Sequence, residues 1–255
     1  MPTELDAARF FLIFLRISAF VTFAPPFGGR DVPVVARVGF AGLTAFLLAA
    51  WVPSARVFPT DPLGWALAVA MELAVGLALA GFWALFLGGI QMGAHLVAAQ
   101  LGFGWGGLFD PTVGDSAEAL VLFQRMTLLL IFFAVDGHLR LMELLMRSLQ
   151  WAPVGDAVFR ASAFAVWSKS FGDMFVTGFK LAAPVTAAIW ILTLALGLVG
   201  RAAPAMNLLS LDFPLRTALG FVTLAVCAPH LTRMSEKLLA QFFQRADVFA
   251  RCFAP

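Results

Sequence analysis

Of the 255 residues, 61% are apolar and only 13% charged, where an ordinary soluble domain carries about a quarter charged. The formal net charge of +2 is too small to argue for nucleic acid, and the two cysteines, Cys227 and Cys252, give neither a disulfide framework nor metal-ligand spacing. The composition is that of a membrane protein, and its long apolar runs predict an all-α integral membrane fold built of helical hairpins.

The chain begins Met1-Pro2-Thr3-Glu4-Leu5-Asp6, acidic where a secretory leader is basic, so no cleaved signal is expected. A first apolar run over residues 10–24 ends at Pro25-Pro26-Phe27-Gly28-Gly29, where two prolines and two glycines force a turn. A second covers 34–52, with Pro33 at its start and Pro53 beyond its end, and the pair predicts a hairpin. The third run, 63–90, exceeds the ~20 residues that cross a bilayer core, so it must tilt, bend or continue into a protein interior. Its Gly89 and Gly93 have the small-xxx-small spacing that lets membrane helices approach closely.

Residues 102–116 differ from everything around them. Five glycines free the backbone, Pro111 stops any helix, and Phe103, Trp105, Leu108 and Phe109 place bulky apolar groups on that pliable chain. Such a loop is a liability in water and lacks backbone partners in lipid, so it belongs in a protein-lined cavity or against other subunits. A fourth apolar run, 119–135, ends at Asp136-Gly137-His138. Residues 139–180 then read as amphipathic helix, break at Pro153-Val154-Gly155-Asp156, and second amphipathic helix, at a membrane surface or against partners. Runs over 181–199 and 215–231, separated by Gly200-Arg201-Ala202-Ala203-Pro204, predict a closing hairpin.

On this six-span reading the excess of Lys and Arg puts both termini in the cytoplasm. Charges inside the runs strain that picture, because Arg16, Arg37, Glu72 and Arg125 would each cost about 2.5 to 3.5 kcal/mol at a bilayer centre. They must pair within the chain, line a polar pathway, or lie in helices that face other subunits. Gly102, Gly104 and Gly107 match G-x-G-x-x-G only formally, without the strand and helix of a nucleotide site. His95, His138 and His230 are too scattered for a metal, and no nucleophile–base pattern occurs, so no catalytic, cofactor or metal residue is expected.

Several elements occur in an order that carries a resemblance: Pro25-Pro26-Phe27-Gly28, Glu72 with Gly76, the glycine-rich loop ending in Asp110-Pro111, Asp136-Gly137-His138 with Ser148 and Pro153, Pro184, Gly197-Leu198 with Arg201, Pro204 and Asn207, and Phe213-Pro214. Over essentially its whole length the chain resembles the flagellar FliR family and its virulence counterpart in type III secretion, with the Asp-Gly-His element favouring the flagellar branch. The resemblance implies a core subunit of the export gate in the bacterial inner membrane, at the flagellar basal body. It implies assembly with FliP-family and FliQ-family subunits, contact with FlhB-family and FlhA-family proteins, and unfolded exported proteins as cargo. It implies a FliP-like part over 1–135, amphipathic linking helices over 136–180, and a FliQ-like hairpin and tail over 181–255. The plug of the closed pore would be the loop, with Gly104, Trp105, Gly106, Gly107, Leu108, Phe109, Asp110, Pro111 and Gly114 as its working residues, while Arg16, Arg37, Glu72, Arg125, Arg201 and Asn207 are expected to be buried or to hold the assembly. The other class compatible with the residues is a solute or ion transporter that uses the internal charges as a pathway.

Overall fold

The computed structural model describes residues 2–25, 27–28, 32–49, 51, 61–103, 116–203 and 208–255. All regular elements among them are α-helices: α1 (Pro2–Phe23), α2 (Val34–Ala49), α3 (Pro62–Gln100), α4 (Ser116–Ala134), α5 (Gly137–Trp151), α6 (Ala161–Ala202) and α7 (Leu208–Arg251). Three of them, α3, α6 and α7, are long and apolar enough to cross a membrane, and α4 with α5 would make a fourth span if counted together. The chain is thus an all-α membrane protein, as its composition requires.

Local chemistry sets the helix ends. Asp61 accepts a hydrogen bond from the Gly64 amide at 2.8 Å, capping α3 just ahead of Pro62, whose missing N–H is no loss in a first turn. At the start of α2 the Arg37 guanidinium donates to the Val32 carbonyl at 2.8 and 3.0 Å. Between α4 and α5, Asp136 is left-handed at φ 56°, a conformation Asp tolerates better than most residues, and this stops α4 before Gly137 opens α5. On α5 the predicted amphipathic pattern holds: Leu141, Leu144, Leu145 and Leu149 are buried while Leu139 and Arg140 are exposed.

The later helices depart from the six-run reading. The third run continues ten residues past 90, to Gln100, and the second amphipathic stretch and the run that starts at 181 form one helix, since α6 runs unbroken through Lys180 and Pro184. Likewise α7 begins before Pro214 and continues past Pro229 through Arg233, Lys237 and Arg245. Each interior proline removes one backbone hydrogen bond, whereas a helix end leaves about four donors or acceptors unsatisfied, so continuing through proline is the smaller loss where water is scarce. With 39, 42 and 44 residues, these helices reach about 58 to 66 Å, roughly twice a hydrocarbon core.

The chain divides into two compact units, and all three long helices contribute to both. Unit 1 holds residues 1–87, 136–171 and 240–255. In it α1 packs on α2, and Leu12, Ile13, Ile17 and Phe20 of α1 are fully buried together with Val75, Leu79 and Trp83 of α3. Phe82 stacks on Phe249 at 4.7 Å and tilts against Phe242 at 5.4 Å, and Phe249 meets Phe253 edge-on. The Trp83 indole N–H donates to the Pro25 carbonyl, fixing the turn that ends α1.

Unit 2 holds residues 88–135 and 172–239. Its core joins Val97 and Ala98 of α3, Leu101 just beyond its end, Leu120 of α4, and Ala182, Val185 and Ile189 of α6. The predicted small-residue spacing is used here within the chain: a Cβ built on Gly93 would lie 2.8 Å from the Gly178 carbonyl, and one on Gly89 2.8 Å from the Met174 carbonyl, so α3 and α6 touch backbone to backbone. Because the obstacle is main chain, even Gly93→Ala should destabilise the protein by about 1–3 kcal/mol, and Gly93→Leu by more. Thermal unfolding of the solubilised protein reads this as a lowered midpoint; an unchanged midpoint for Gly93→Leu would show that the helices do not meet there.

Candidate functional site

Two features of the described chain carry polar or conformational constraints that packing alone does not require. The first is a buried charge network in unit 1. Arg16 and Glu72 are both 0% exposed and form a bidentate pair, Nε to Oε2 at 2.6 Å and Nη2 to Oε1 at 3.0 Å. The third guanidinium nitrogen donates to the Ser148 carbonyl at 3.1 Å, and Glu72 Oε1 accepts the Gly155 amide at 3.1 Å. Arg16 belongs to α1, Glu72 to α3 and Ser148 to α5, while Gly155 lies in the turn after α5, so one ion pair ties four segments.

Helix geometry brings these groups together. A Cβ on Gly76, one turn beyond Glu72, would lie 2.4 Å from the Arg16 carbonyl, so glycine there lets α1 lie against α3 closely enough for the pair to form. Gly155 has φ +88°, which points its N–H at the carboxylate in a turn flanked by buried Ala152 and Val154. The Pro153–Asp156 segment, predicted as a break, is thus a turn whose amide is held by a side chain from another helix. Ser148 and Gly155 take part through main-chain atoms, so their side chains do not announce the contact.

The second feature is the root of the glycine-rich loop in unit 2. Leu101 is fully buried, and its side chain sits so near Gly220 of α7 that a Cβ there would come within 2.6 Å of Leu101 Cγ. The Thr217 hydroxyl bonds its own helix at Phe213 and lies 3.4 Å from the Leu101 carbonyl. Gly102 then turns left-handed at φ +87°, closely covered by the Phe213 ring, and Phe103 meets Phe221 edge-on at 6.0 Å. The chain therefore enters the loop from a firmly held point on α7.

The predicted loop residues Gly104, Trp105, Gly106, Gly107, Leu108, Phe109, Asp110, Pro111 and Gly114, and also Asn207, lie outside the described residues. Of the other charges, Arg37 is half-buried on the Val32 carbonyl. Arg125 and Arg201 are exposed in this chain. The structure thus joins Arg16 to Glu72, with Arg37 held separately at the start of α2. A pair that sequence reading did not single out joins α5 to the end of α7: Arg147 donates to Asp247 at 2.7 Å and to Glu143 at 2.5 Å beside a cleft of about 340 Å³. Being partly exposed, this network contributes little to stability. Among the described residues no group of His, Cys, Asp and Glu is arranged to hold a metal.

Residues 7–242 match the profile of the family described as bacterial export proteins, family 1. The flagellar biosynthetic protein FliR of Bacillus subtilis is 33% identical over 221 residues, covering 86% of this chain and 85% of its own. The chain belongs to the FliR family of bacterial export proteins. The FliR proteins of Pectobacterium carotovorum and Escherichia coli are each 27% identical, covering 96% and 94% of this chain and 94% and 92% of their own lengths. The matched region of the family profile contains Arg16, Glu72, Ser148 and Gly155, so the buried network lies within the family's own segment.

Removing one partner of a buried pair strands the other charge, so Glu72→Ala or Arg16→Ala should cost about 3–5 kcal/mol. The double variant Arg16→Met with Glu72→Leu removes both desolvated charges and should be milder, about 1–3 kcal/mol, most of it from the Gly155 amide left without an acceptor. Protein level in membranes and thermal stability after solubilisation give the ordering. A double variant as damaging as the singles would show that the pair contributes more than mutual neutralisation.

Proposed function

We propose that the chain is a core subunit of the flagellar type III export gate, forming part of the pore through which unfolded flagellar proteins cross the bacterial inner membrane at the basal body. The observation that carries this reading is family membership over residues 7–242 in a chain whose apolar surface is left largely uncovered. Only 6% of the apolar stretch of α7 is buried, and Trp190, Ile191, Leu194 and Leu198 of α6 are all more than 60% exposed. Helices roughly twice as long as a bilayer core cannot have all that surface covered by lipid, which points to neighbouring subunits. FliP-family and FliQ-family proteins are the proposed neighbours, with FlhB-family and FlhA-family proteins beyond them, and the parts 1–135, 136–180 and 181–255 are proposed as a FliP-like part, a link and a FliQ-like hairpin with its tail. The flagellar names of the relatives favour this over a virulence secretion system. The buried pairing of Arg16 with Glu72 counts against a transporter that would need those charges free.

Within this reading the loop from Gly104 to Ser116 is the plug. A pore wide enough for an unfolded chain must hold back ions with a stopper that is bulky, apolar and displaceable without breaking secondary structure. Trp105, Leu108 and Phe109 supply bulk, Gly104, Gly106, Gly107 and Gly114 supply freedom to swing aside, and Pro111 keeps the segment from becoming helix. The held root at Leu101 and Gly102 supports this role, because a stopper has to return to the same place.

Deleting 104–116 should leave the helices and the assembly intact while raising small-ion permeability and slowing growth. Replacing Trp105, Leu108 and Phe109 together by alanine should give a smaller leak, since bulk is lost and backbone position kept. Asp110→Ala tests whether that carboxylate anchors the closed loop. Ion conductance in cells, measured beside recovery of the complex, separates the roles. Failed assembly would make the loop a docking segment, and an intact complex without a leak in any variant would remove the plug.

A further inference from the structure

We propose that Arg125 docks this chain onto a carboxylate of a different subunit, an Asp or Glu carried on an otherwise apolar helix face that covers α4. The proposal rests on the export-gate reading, in that it requires a partner protein, and it specifies the chemistry of that partner.

Arg125 lies nine residues from each end of α4, and its helical neighbours at three and four positions are Val121, Leu122, Leu128 and Leu129. Around it Leu122, Phe123, Met126, Leu130 and Phe133 are between 45% and 71% exposed. Arg125 itself is exposed and has no hydrogen bond or ion pair with any described residue. A face this apolar is covered either by lipid or by protein.

Lipid is the poorer cover. Arg125 lies midway along α4, about 13.5 Å from either end at 1.5 Å per residue, and a guanidinium held on an apolar face is costly to place in hydrocarbon. A protein cover removes the difficulty only if it offers an anion, because a fixed guanidinium facing apolar side chains remains uncompensated. Arg favours a planar carboxylate, which it can grip with two parallel hydrogen bonds, as Arg16 grips Glu72 in unit 1.

A second copy of this chain does not fit. Among the described residues four of the carboxylates within its long apolar helices are engaged: Glu72 by Arg16, Asp212 by Arg216 at 2.7 Å, Asp247 by Arg147 at 2.7 Å, and Asp173 in an interaction of its own. Glu236 of α7 is exposed, but it stands between Arg233 and Lys237 and would bring two cations toward Arg125 with it. The proposed partner is a different protein, and its acidic residue lies where a sequence would otherwise read as uninterrupted apolar helix.

The test uses the full tagged chain co-expressed with FliP-family and FliQ-family subunits, with the partner recovered from solubilised membranes measured relative to the chain present. Arg125→Met removes the charge and keeps an apolar side chain of similar length, and recovery of the partner is expected to fall at least about tenfold, because a buried carboxylate is left unpaired. Arg125→Glu should abolish assembly. Selection for restored motility from Arg125→Glu should return a substitution of an acidic residue by Lys, Arg or a neutral side chain in another subunit. Equal or better assembly of Arg125→Met would mean that lipid covers the face, and a suppressor at one of this chain's own Asp or Glu residues would place the partner inside the chain; either result overturns the proposal. Failure of the unaltered chain to recover any other subunit would overturn the export-gate reading, and this inference with it.

Discussion

Everything in unit 1 depends on one constraint: a guanidinium and a carboxylate, both wholly removed from solvent, must face each other. Neither Arg16 nor Glu72 is tolerable alone in an apolar interior, yet together they neutralise each other and make further hydrogen bonds with the Ser148 carbonyl and the Gly155 amide. The pair therefore specifies arrangement more than it adds stability. Buried apolar side chains such as Leu12, Ile17, Val75 and Leu145 would accept many rotations of one helix on another, whereas two parallel hydrogen bonds accept very few. Close approach at Gly76 and the left-handed turn at Gly155 follow from that demand.

In unit 2 the corresponding constraint is steric. Gly93 and Gly178 bring two backbones into contact, and Gly220 gives the Leu101 side chain room against α7. A charge pair orients the helices of unit 1, with glycine closeness at Gly76 beside it, and absence of side chains orients those of unit 2.

Much of this was legible in the residues. Composition dictated a membrane fold, internal charges dictated that partners exist, the spacing of Gly89 and Gly93 marked a close helix contact, and the glycine-rich loop stood out from its flanks. The identity of the partners was not legible: Arg16 and Glu72 are 56 positions apart, and nothing in an apolar background says which buried cation meets which buried anion. Helix ends in the second half were misread for a physical reason. Lys180, Pro214 and Arg233 stand at the edges of the apolar runs and mark boundaries in water, where a free helix end is solvated; in an apolar setting the helix continues through them. The loop was legible in composition alone, and its role is argued from that composition and from the geometry of its root.

The aromatic cluster of unit 1 has an implication for how the molecule is made. Phe82 and Trp83 belong to the third helix, whereas Phe242 and Phe249, the rings that pack on them, follow about 160 residues later, with Phe253 behind Phe249. During synthesis the earlier rings emerge without their cover, and unit 1 closes only after the chain has been translated through Phe253. Translation and tertiary closure are thus far apart in time, and throughout that interval an insertase, lipid or a sister subunit has to shield the early rings. A nascent chain stalled before Phe242 leaves them without these rings.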